Sequence, residues 1–180
     1  MSQPLESVRF TLRRLPAVVV AAVGAIYVTI VGPSPILRLF GGAENMAIVR
    51  EATRVEAFRV TLPGGDVPDE DTSPLDYEIT SDPVRLPTAM ASELAKTLLS
   101  SDTYSGAAAA CGPPIYGVKI SFFRNAERVD VYFCFHCSVL RVVRDERVRG
   151  GADFGNAEQV FVQAVKALFP DDAEIQAIRD

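Results

Sequence analysis

Residues 115–143 read IYGVKISFFRNAERVDVYFCFHCSVLRVV, and their alternation decides the fold class. Val118, Ile120 and Phe122 alternate with Lys119 and Ser121, the period of a half-buried strand. Asn125, Ala126, Glu127 and Arg128 form a polar hairpin loop. A second strand over 129–143 follows. It places Val129, Val131, Phe133, Phe135, Cys137 and Val139 on one face, and Asp130, Tyr132, Cys134, His136 and Ser138 on the other. Asp145 and Glu146 then turn the chain into a return strand around 147–149. Strands joined through loops this short pair antiparallel.

Upstream of this hairpin, Val55, Ala57, Val60 and Leu62 mark a strand over 54–62, stopped by Pro63, Gly64 and Gly65. An acidic loop, a short strand at 77–80 and an extended piece between Pro83 and Pro87 come next. Met90, Leu94, Leu98 and Leu99 recur at helical spacing and predict a helix from Thr88 to about Ser100. Downstream, Gly150 and Gly151 end the sheet region. Phe161, Val165 and Leu168 give a helix over 156–169 that Pro170 stops. Asp171 or Asp172 caps a last short helix carrying Ile175 and Ile178. Each amphipathic element must hide one side, so the expected fold is α+β: a small antiparallel sheet with helices on one face, over residues 54–180.

The N-terminus is of another kind. Arg9, Arg13 and Arg14 precede residues 15–37, which carry no charge. The centre of that stretch, including Val18, Val19, Val20, Ile26 and Ile30, is nearly all apolar. About 20 such residues span a hydrocarbon core as a helix. The expectation is a cytoplasmic n-region at 1–14, a transmembrane anchor or signal segment at 15–37, and a linker at 38–53. The arginines put the N-terminus inside and the C-terminal domain outside the cytoplasm. A cleaved signal peptide would leave the domain secreted or periplasmic instead. The membrane is thus the one partner implied. Formal net charge is -5, and arginines alternate with acids through 141–149, so the basic footprint of a nucleic-acid binder is absent.

The chain has three cysteines, Cys111, Cys134 and Cys137, and one histidine, His136. A structural disulfide suits an oxidising compartment. Cys134 and Cys137 point to opposite faces of a regular strand, so Cys111 is the expected partner of Cys134. Closing that loop would stabilise by about 3 kcal/mol. Cys137 would then be a buried free thiol on the phenylalanine face. Redox catalysis needs a thiol activated at a helix N-terminus, which a strand does not offer. Metal binding through the three cysteines and His136 supplies four ligands, but Phe-His is poor turn chemistry for a zinc knuckle. Covalent haem needs histidine after the second cysteine, and Ser138 stands there. No orienting carboxylate or nucleophile reaches His136 along its strand, which favours an exposed strand residue over a base. Asp153, Asp171 and Asp172 are explained by helix capping, and the glycine pairs 64–65 and 150–151 by turns.

Cys111, the run Cys134-Phe135-His136-Cys137, and Phe169-Pro170-Asp171-Asp172 together resemble a family of exported or membrane-anchored bacterial proteins. Those proteins place a cysteine before a hairpin, then a Cys-Phe-x-Cys strand, and close on a helix with a similar acidic end. The resemblance covers the C-terminal half of the chain. It implies a like fold and compartment and supplies no activity; no cofactor is expected. The functional expectation is a non-enzymatic, membrane-tethered or exported domain that binds or scaffolds something at the cell envelope. The alternative is a thiol-dependent redox or metal protein built on the same cysteines and His136.

Overall fold

The computed structural model describes residues 34–65, 68–105 and 112–179. The apolar residues Val18, Val19, Val20, Ile26 and Ile30, the n-region and Cys111 lie outside them. Two short helices lead, α1 (Pro35–Leu39) and α2 (Ala43–Arg50). Then come β1 (Arg54–Thr61), β2 (Glu78–Ile79), β3 (Val84–Arg85) and α3 (Thr88–Leu98). Four strands follow: β4 (Val118–Arg124), β5 (Glu127–Cys134), β6 (Val139–Arg144) and β7 (Arg147–Asp153). The chain closes with α4 (Glu158–Leu168) and α5 (Ala173–Gln176). Among the described residues no helix is long and apolar enough to cross a membrane.

The protein is α+β, with a seven-stranded antiparallel sheet in the order β2-β1-β4-β5-β6-β7, and β3 also paired to β1. The alternation in β4 and β5 sends Val118, Ile120, Phe122, Val129, Val131 and Phe133 into the main core, each at most 1% exposed. Burying such a side chain contributes about 1.5–3 kcal/mol relative to leaving it in water. The five helices among the described residues all add residues to this same core, as amphipathic helices on a single sheet face must. Phe133, Phe154 and Phe161 meet ring to ring at 5.2–5.7 Å, and Phe135 stacks on Phe133 at 5.8 Å.

The stretch 38–53, expected to be a linker, belongs to the domain instead. Leu39, Phe40, Ile48 and Val49 are buried in the main core. Gly41 makes this possible by ending α1 at φ 68°: its N–H bonds the Arg38 carbonyl, and the Gly42 N–H bonds that of Leu37. The chain then reverses into α2. The α1 end lies so close to β7 that a Cβ at Gly150 would fall 2.5 Å from the Leu39 carbonyl oxygen.

Two further expectations are corrected. The β4–β5 connection is a two-residue turn, Asn125 and Ala126, and Glu127 and Arg128 are already strand. The long strand over 129–143 is two strands, because residues 135–138 form a turn and Cys134 pairs with Val139. Ser138 takes a left-handed φ of 51° there. Its carbonyl accepts the Phe154 N–H at 2.7 Å, and its hydroxyl donates to Glu158 at 2.7 Å. These contacts from the start of α4 stabilise a turn that the residue types alone do not announce.

Candidate functional site

The second face of the sheet carries a smaller core of Val60, Tyr77, Tyr116, Tyr132, Cys134, Val139 and Val143. Cross-strand partners share a face, so the turn at 135–138 puts Val139 beside Cys134 rather than with the phenylalanines. Tyr116 joins its neighbours edge to face, 5.2 Å from Tyr77 and 6.1 Å from Tyr132. The Tyr77 hydroxyl donates to the Pro114 carbonyl at 3.1 Å, tying the segment before β4 to this cluster. Burial pushes the phenols of Tyr116 and Tyr132 up to about 12.

Where the two cores meet at one end of the sheet, a cavity of about 860 Å³ opens. The end of β1 supplies Leu62, the cluster supplies Tyr77 and Tyr116, the β5–β6 turn supplies Phe135, and the C-terminal segment supplies Ile178. Ile115 also lines it and is 54% exposed, so the cavity communicates with solvent through an apolar edge. The polar groups fall in two places. His136 and Glu158 belong to the β5–β6 turn and the start of α4, and Arg59 and Glu174 pair with each other at 2.5 Å. A second hollow, about 500 Å³, is lined by Thr80, Ser81, Pro170 and Asp172, and Arg59 borders both.

Cys134 is a free thiol with no exposed surface, not the cystine half expected of it. It sits under the tyrosine cluster. Burial pushes its thiol up, while backbone N–H groups of Cys137, Ile115 and His136 pull the other way. Enclosure and a raised pKa make this thiol a poor nucleophile. Cys137, expected to be the buried free thiol, is half-buried in the turn. The turn at 135–138 leaves both cysteines against the tyrosine cluster, Cys134 enclosed and Cys137 half-buried. His136 is exposed on the same turn and lines the cavity. Among the described residues no three His, Cys, Asp or Glu side chains gather as a metal site.

The acidic residues set aside as caps behave differently from one another. Asp172 caps α5, its Oδ1 accepting the Ile175 N–H at 3.0 Å, as the sequence suggests. Asp153 instead accepts from the Ser105 hydroxyl at 2.6 Å and the Gly155 N–H at 2.9 Å. Arg59, which no motif flags, is the best-connected side chain near the cavity. Its signal in the sequence is faint: a cation on the core-facing side of β1, in phase with Val55 and Ala57.

Comparison with protein-family models, with curated proteins and with solved structures finds no match to this chain.

Proposed function

We propose that this protein is a non-enzymatic cell-envelope domain, held at a membrane by residues 15–37, that binds an apolar ligand in the cavity at the sheet end. The cavity carries this reading. Its size is that of small-molecule sites, its walls are mostly apolar and aromatic, and a few polar groups stand at separate points. Glu158 is held by the Ser138 hydroxyl through Oε1, and among the described residues no hydrogen bond joins it to His136.

The location rests on the uncharged stretch behind Arg9, Arg13 and Arg14, and a cystine would suit the compartment it implies. With Cys134 a free thiol, Cys111 and Cys137 are the two cysteines left to pair. We place the cystine there.

The test is titration of the full chain, in detergent, with n-decanol as an uncharged apolar probe, followed by methyl NMR. Saturable shifts at Ile115 and Ile178, absent from exposed Val148 and lost in Ile115→Asp, are expected. Ile115 is exposed enough that this substitution spares the fold. No saturable shift, or equal shifts at Val148, would defeat the proposal.

A further inference from the structure

One wall of the cavity is a helix too short to persist alone. α5 has four residues, and isolated helices need several times that length. Part of its hold is local. Asp172 caps it, Ile175 is 2% exposed in the main core, and the Gln176 amide donates to the Lys166 and Phe169 carbonyls at 2.9 and 3.0 Å.

The long-range hold is Arg59, which reaches α5 from β1 across 113 positions of sequence. Its Nε donates to Asp172 Oδ2 at 2.7 Å and its Nη2 to Glu174 Oε2 at 2.5 Å. Its Nη1 donates to the carbonyl of Gly117, just ahead of β4. A planar guanidinium with every nitrogen engaged fixes the two carboxylates, and hence α5, at one distance from the sheet. The Arg59 side chain is 11% exposed and that of Asp172 is 26% exposed, so water screens this pair less than it would a surface pair. Ile175, Ala177 and Ile178, which α5 and its end carry, line the cavity together with Arg59 and Glu174.

We infer that Arg59 is a positioning residue: by its fork of bonds to Asp172, Glu174 and Gly117 it holds residues 172–179 as the cavity wall and so sets the affinity of the site for an apolar ligand. This rests on the cavity being the binding site. A role as a mere charge facing the ligand is the competing explanation, and two substitutions separate them. Arg59→Lys keeps the charge and loses the fork. Asp172→Asn leaves Arg59 intact and keeps an N-cap, since asparagine caps as well as aspartate, but removes the charged partner.

The experiment measures, on the full chain, amide hydrogen exchange across 173–178 and n-decanol affinity for both variants. Expected are exchange faster by about fivefold or more at 173–178, unchanged exchange in β4 and β5, and decanol binding weakened by a similar factor in both. Wild-type exchange at 173–178 in both variants overturns the inference. So does faster exchange with unaltered decanol affinity. If wild-type protein binds no decanol, the cavity reading fails, and exchange alone decides whether Arg59 holds the wall. If Arg59→Lys does not fold, the same two measurements on Asp172→Asn decide.

Discussion

The two cysteines of Cys-Phe-His-Cys differ in burial, and a turn, not a strand, separates them. Period-two reasoning holds only while the chain stays extended, and it fails at Phe135, where ring stacking on Phe133 and the Ser138–Glu158 bond favour reversal. Nothing in Phe-His-Cys-Ser announces that, since the stabilising groups come from Phe154 and Glu158 further along. The consequence is measurable by thiol titration. Native chain, unreduced, should show no thiol that reacts within the mixing time, because Cys134 has no exposed surface and a raised pKa. Unfolded in denaturant without reductant it should show one thiol, and after reduction three. Two or more thiols in the unreduced, unfolded chain would rule the cystine out.

At the scale of elements, strands and helices with strong periodicity were legible. β1, α3 and α4 fall within a residue or two of the ranges that their apolar spacing predicts, while β4 begins at Val118 rather than at the expected Ile115. Connections were less so. Asn125 at φ 57° lets β4 and β5 close in two residues, and a third hairpin closes on Asp145 and Glu146 at φ 50° and 55°. That pair has the positive angles of the type I′ turn that suits the strand twist. Asparagine, aspartate and glycine accept such angles readily, and glutamate does not. Glu146 is exposed, so its conformation is the larger concern. Glu146→Gly should therefore stabilise by about 0.5–1 kcal/mol, relief of left-handed strain exceeding the entropy that glycine adds to the unfolded chain. A higher urea midpoint at constant slope is the expected reading. A lower midpoint would mean that Glu146 carries a contact worth more than its strain.

For the whole molecule, composition and polarity legibly gave one α+β domain, and the division at residue 54 was misplaced because α1 and α2 are weakly amphipathic alone. Their contribution shows only when Phe40 and Ile48 meet the sheet. The cavity was illegible for a similar reason: Leu62, Tyr77, Ile115, Phe135 and Ile178 are remote in sequence and share no spacing. Orientation across a membrane is open to direct test. Fused after Asp180 in a bacterial host, alkaline phosphatase should be active and a fluorescent protein that fails to mature outside the cytoplasm should be dark. The opposite pair of outcomes would put the domain in the cytoplasm and leave the cystine without a compartment.

The outer margin of β1 has a further bearing on how copies of this molecule behave together. Two small strands divide that margin, β3 against Glu56 and Ala57, and β2 against Val60 and Thr61. Leu86 bonds the Val55 carbonyl beyond one end, and in the gap the Ser81 hydroxyl and the Thr80 N–H occupy both backbone groups of Arg59. No ladder is left there for a foreign strand to extend, so crowded neighbours find no foothold along β1 for runaway β-assembly.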